Sequence, residues 1–162
     1  MKAISVRAPW WYAILYLGKP VENRDWYTNV RGRVALHAGK WFDPFEVAEI
    51  WRWEVMPMWK KANPGRALPP MPELDVLRRA SGCLVGTVEI MGCVMSHPSP
   101  WFVGKWGHLL ANPAPLAAPL SWKGALGYFE LPESALGGMQ SSGVMDEEPE
   151  KPTTISLIKQ ED

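Results

Sequence analysis

The chain has 162 residues, enough for one domain of ordinary size around a single hydrophobic core. Lys+Arg and Asp+Glu balance at 17 each, which excludes an overall polycation or polyanion. Two cysteines, Cys83 and Cys93, cannot build a disulfide framework or a four-cysteine metal site, and 16 prolines with 14 glycines disfavour a helical bundle.

Lys2–Arg7 alternates Ile4 and Val6 against Ala3, Ser5 and Arg7, the pattern of a strand. Pro9 suits the first position of a helix, where no amide is lost, and Trp10, Ile14 and Leu17 then recur at helical spacing until Gly18 closes the helix. Val21–Trp26 is extended, and Arg31-Gly32-Arg33 leads into a strand over Val34–His37. Asp43-Pro44-Phe45-Glu46 has the form of a capping box, and the helix after it should bury Ala48, Trp51 and Val55 and stop or kink before Pro57. Asn63–Pro72 holds four prolines and a glycine and is a loop. Glu73–Ala80 is a short helix with Leu74 and Leu77 inward. Gly82–Val94 is a long strand with Leu84, Val88 and Ile90 on one side. His108–Ala111 and Leu126–Leu131 are shorter strands separated by a proline-rich loop, Pro113–Pro119. The spacings leave no room for repeated βαβ crossovers. They predict an α+β fold: a small mixed, mainly antiparallel sheet curled into a β-barrel, with flanking helices.

Charge divides the chain. Residues 1–133 carry 15 Lys+Arg and 11 Asp+Glu, a net of +4; residues 134–162 carry 2 and 6, a net of −4. The second stretch is small, polar and acidic, so it is expected to be a disordered tail on a body of 1–133. Solubility is its simplest role; competition for a basic groove on the body is the sharper one. The longest apolar run, Ala8–Leu17, is too short for a bilayer and contains Pro9. With no signal-peptide pattern at the start, a soluble, monomeric, cytoplasmic protein with reduced thiols is expected.

Common catalytic signatures are absent: no Gly-x-Gly-x-x-Gly, no Walker loop, no His-Glu-x-x-His, no Cys-x-x-Cys and no Gly-x-Ser-x-Gly. His37, His97 and His108 have no metal-ligand spacing, so neither metal nor cofactor is expected. What stands out is Gly18-Lys19-Pro20-Val21-Glu22-Asn23-Arg24-Asp25-Trp26. In an extended segment Glu22, Arg24 and Trp26 share one side. Two readings carry equal weight on spacing alone. Either Glu22 and Arg24 form structural ion pairs, or Lys19 and Arg24 present a point charge and a fork to a phosphate or base edge.

Pro9-Trp10, the Gly18–Arg24 segment, Trp26-Tyr27-Thr28, Arg31-Gly32-Arg33 and His37-Ala38-Gly39-Lys40 together resemble the ASCH (activating signal cointegrator homology) domain of the PUA-like superfamily. So do Gly82–Glu89, Trp106–Pro113 and Lys123–Phe129, which takes the resemblance over about residues 1–131. It implies a PUA-like barrel with a cleft between barrel and helices lined by this motif, and nucleic-acid binding as its use. Some ASCH members are ribonucleases and some small ones amidohydrolases of acylated cytidines. In the latter a threonine three residues after the lysine acts with it; here that position is Glu22, which cannot replace a hydroxyl nucleophile.

Three functions follow in order. The first is a binder of single-stranded RNA or DNA, or of a modified nucleotide. In it Lys19, Arg24, Arg31, Arg33, Lys40 and Lys105 track phosphates, Glu22 and Asn23 line the cleft, and Trp10, Trp26 or Trp106 stacks on a base, worth about 1–3 kcal/mol each. The second is a hydrolase on RNA or a modified nucleoside, with Lys19 stabilising an oxyanion and Glu22 handling the proton. The third is a protein-interaction module using the proline-rich loops.

Overall fold

The computed structural model describes residues 1–141. Most of the expected acidic tail lies outside the described residues.

The chain opens with β1 (Lys2–Val6), whose alternation holds, and turns at Pro9 into α1 (Trp10–Tyr16). Pro9 caps this helix instead of starting it: its carbonyl accepts the Ala13 amide at 3.1 Å. After β2 (Val21–Arg24) and β3 (Gly32–Ala38), Asp43 caps α2 (Pro44–Ile50) by accepting the Glu46 amide at 2.7 Å. The reciprocal half of the capping box does not form. The Glu46 carboxylate accepts from Trp41 Nε1 at 3.1 Å and from Arg7 at 3.3 Å instead.

Of the expected stop or kink before Pro57, the stop is absent, and the helical ladder changes there instead. A π-helical turn, Trp51–Val55, joins α2 directly to α3 (Met56–Ala62). In it the Met56 amide reaches back to the Trp51 carbonyl, five residues away, so the ladder is already widened where Pro57 has no amide to give. The extra residue keeps Trp51, Val55 and Trp59 on the buried side, while Ala48 is only half-buried.

α4 (Leu74–Ala80) precedes β4 (Cys83–Val94), which pairs along its length with β5 (Trp106–Ser121). The expected Pro113–Pro119 loop is therefore the far half of a strand. β2 covers only the Trp106–Leu109 part of the other edge of β5, so on that edge no paired strand requires the amides of the prolines. Register shifts between Leu84 and Gly86 bend this ladder. They also reverse the side-chain phase: Leu84 packs in one apolar cluster, while Val88 and Ile90, expected beside it, pack with Val85 in another.

β6 (Tyr128–Glu130) completes a six-stranded sheet in the order β2-β5-β4-β3-β1-β6, parallel only between β1 and β3. Its two ends are drawn together by side chains. His108 of β5 lies 3.0 Å from the Tyr128 hydroxyl, Trp26 meets Tyr128 edge-on at 5.7 Å, and Arg24 of β2 donates to the Ser5 carbonyl of β1 at 2.7 Å. The result is an α+β half-barrel with flanking helices. α1 fills one face against Ile4, Val34, Leu36 and Val88. α5 (Glu133–Ser141) seals the other with Ala135 and Met139 on Ala3, Ala35, Leu84 and Leu116. The packed body thus runs past the expected limit of 133 to Ser141. Among the described residues no helix is long and apolar enough to cross a membrane.

Candidate functional site

Gly18 leaves α1 with φ +72°, a conformation that lets the chain reverse at once. The Lys19 amide folds back to the Ala13 carbonyl at 3.2 Å, and the Lys19 side chain turns inward, 3 % exposed. Its ammonium donates to the Val21 carbonyl at 2.7 Å and to Glu22 Oε2 at 3.2 Å, and lies 5.2 Å from the centre of the Trp10 ring. Glu22, 7 % exposed, receives Arg24 Nε and Nη2 on its other oxygen, each at 3.0 Å. The Arg24 guanidinium lies 5.9 Å from the centre of the Trp26 ring. Two cations thus share one carboxylate, which leaves one excess positive charge beside β1. Burial pushes the Lys19 pKa down, against the opposing pull of the Glu22 charge and hydrogen bond.

The ion-pair reading of this motif holds. Glu22 and Arg24 do pair with each other, and they also line an open cleft of about 320 Å³ together with Trp10, Arg7 and Ser5. Lys19 does not line that cleft; its ammonium sits against the Glu22 carboxylate and acts through it. The Asn23 side chain is used as a clamp on the segment before β5, donating to the Trp101 carbonyl at 2.9 Å and accepting from the Val103 amide at 3.1 Å.

The other expected site residues fall elsewhere. Trp26 packs edge-on against His108 at 4.8 Å, on the seam of the curl. Burial there lowers the His108 pKa and raises that of the Tyr128 hydroxyl. Arg31 donates to the carbonyls of Thr28 and Val30 and shapes its own turn. Arg33 crosses to β4, where it meets Glu89 at 3.1 Å, and donates to the Asn112 carbonyl of β5 at 2.6 Å. Trp106, opposite Arg24 in the β2–β5 ladder, rests against Tyr27 at 5.2 Å, and Lys105 before it is exposed. Lys40 stands on a different cavity. The structure therefore gathers Trp10, Lys19, Glu22 and Arg24, with Asn23 and Trp26 at the margins, and disperses Arg31, Arg33, Lys40, Lys105 and Trp106.

The chain matches no protein-family model and no curated protein sequence.

Sequence reasoning missed Ser5 and Arg7 as parts of this cleft. A charged residue ending an alternating strand just before a proline was the available signal for Arg7, which pairs with Glu46 and stays half-exposed at the rim. Among the described residues no group of three His, Cys, Asp or Glu side chains is placed to hold a metal.

Proposed function

We propose that this protein binds single-stranded nucleic acid, or a nucleotide, with one base entering the cleft at Glu22 and Arg24. The observation that carries the reading is the juxtaposition of a carboxylate acceptor and a guanidinium donor, 3.0 Å apart on the cleft wall and beside the Trp10 ring. A base edge presents donors and acceptors side by side, and a paired acceptor and donor complements it. Trp10 offers a flat apolar surface for stacking, worth about 1–3 kcal/mol. A volume of about 320 Å³ suits a single nucleoside unit, at the lower end of ligand pockets, which run from about 300 to 1,000 Å³. The half-barrel is compatible with a PUA-like ASCH fold, and the motif that resembles that family contributes Glu22 and Arg24 to this cleft.

Hydrolysis at the same place is the second reading. It is favoured by the burial that lowers the Lys19 pKa beside a carboxylate, a setting common to proton-transfer sites. Against it, Lys19 is shielded from the cleft, and both Glu22 oxygens are already engaged by cations.

Fluorescence anisotropy with a labelled oligouridylate tests the proposal. Binding should weaken between about 50 and 200 mM salt, and Arg24→Gln should weaken it about tenfold or more. Mass spectrometry of the same samples should show intact RNA; multiple turnovers would favour hydrolysis. Equal affinity of Arg24→Gln and the parent protein would refute the assignment of this cleft.

A further inference from the structure

Ser5 belongs to the walls of two cavities. Its carbonyl accepts from Arg24 at the cleft, and its hydroxyl meets His37 Nδ1 at 2.9 Å in a larger cavity of about 720 Å³. His37 Nε2 lies 2.9 Å from the Trp122 carbonyl. A carbonyl only accepts, so Nε2 carries a ring proton; burial favours the neutral ring, in which Nδ1 accepts from the Ser5 hydroxyl, itself 3.4 Å from the Ala125 carbonyl. The floor of this cavity is therefore polar and neutral.

Its lip is not neutral. Lys40 and Lys123 both line the cavity and both are exposed. Arg7, Arg24, Arg33 and Arg78 each have a carboxylate partner; Lys40 and Lys123 have none among the described residues. Among the described residues no aspartate or glutamate lines the cavity, so two cations without an acidic partner there face one concavity. Beside them are Trp122, half-buried with its side chain against the apolar cluster under α5, and the side chain of Leu126, which is 99 % exposed. An apolar side chain left wholly in water on the rim of a cationic cavity suits a ligand with an anionic group and an apolar body.

We infer that this cavity is a second binding site, for a phosphate ester carrying a planar ring, with the phosphate held by Lys40 and Lys123 and the ring against Trp122 and Leu126. A nucleoside phosphate has this chemistry, either as a free mononucleotide or as one unit of a strand crossing β1. The site does not depend on the cleft reading, because none of its cations belongs to the Glu22 cluster.

Amide chemical shifts of the isotope-labelled full chain test it. The probes are uridine, inorganic phosphate, uridine 5′-monophosphate and a uridine tetranucleotide. The monophosphate should shift the amides of Gly39, Gly82 and Gly124 saturably, and more tightly than inorganic phosphate, whereas uridine should not. Lys40→Ala/Lys123→Ala should weaken it about tenfold or more, and the charge-matched control Lys60→Ala/Lys61→Ala should not. Saturable shifts from the tetranucleotide alone assign the site to a strand. No saturable shift from the monophosphate or the tetranucleotide, inorganic phosphate binding as tightly as the better of these two, or unchanged affinity in the Lys40→Ala/Lys123→Ala variant, overturns the inference.

Discussion

The ammonium of Lys19 lies 3.2 Å from the carboxylate of Glu22, and both side chains are almost wholly withdrawn from water. Only Glu22 reaches the cleft wall, and Arg24 completes the pairing from the other side of the carboxylate. Such a cluster is costly to assemble and more costly to break, because the survivor stays buried without its partner. Lys19→Ala is expected to lower stability by about 3–5 kcal/mol in urea denaturation. Lys19→Met combined with Glu22→Gln should lose clearly less than the sum of the two single losses. Strict additivity would mean that the two side chains do not act as a pair.

Gly124 tests how tightly the segment between β5 and β6 is pressed on the sheet. A Cβ there would stand 2.5 Å from His37 Cε1 and 2.7 Å from the Ser5 hydroxyl. His37 is held through both ring nitrogens and 1 % exposed, so it has nowhere to move. Gly124→Ala should cost about 1–3 kcal/mol, the usual range for forced overpacking. The neighbouring Ala125→Ser, on an exposed side chain, should be nearly neutral in the same thermal melts.

Local chemistry was legible in the sequence and remote pairing was not. Ile4 and Val6, the left-handed Gly18 and the Asp43 cap are each decided within a few residues, and each forms where the sequence places it. Pro113–Pro119 reads as a loop because a proline's cost in a strand depends on which edge has a neighbour, and that is settled by where β2 ends. Pro57 reads as a break because the widened turn before it answers to the burial of Trp51 and Trp59, which depends on α1 and on Trp101. In the site, Glu22 and Arg24 were found by their two-residue spacing. Ser5 joins them only where the curl of the sheet brings β2 beside β1 and Arg24 donates to its carbonyl, a closure that no local pattern encodes.

The Asp43 cap carries its own prediction. Among the described residues the Glu46 amide has no other acceptor at the start of α2, and that helix carries Val47 and Ile50 into the apolar interior. Asp43→Ala should cost about 1 kcal/mol, and Asp43→Ser a few tenths, since serine offers a similar acceptor. Chemical denaturation of the three proteins side by side decides it. Equal losses for alanine and serine would mean that the carboxylate acts through charge and not through this hydrogen bond.

Two buried histidines set the acid side of the stability profile. Burial is the main cause that lowers the pKa of both His37 and His108 below the ordinary 6.5, and hydrogen bonds to backbone oppose it without reversing it. The charges facing His108 come from Arg24, Glu22 and Arg31, and those nearest it among the cations favour the neutral ring. A depressed folded-state pKa means that the unfolded chain takes up protons first as the pH falls. The stabilisation from the neutral rings is therefore complete above about pH 6.5 and drains away below it, towards the folded-state values. Urea midpoints should be nearly level from about pH 7.5 to about pH 6.5 and fall from there to about pH 5.5. His37→Asn and His108→Asn should each be less stable at the upper pH, because one amide cannot replace a ring that bonds through both nitrogens. Each should also show a shallower decline, since the group that takes up the proton is gone. A variant that keeps the full slope would remove that histidine from the explanation.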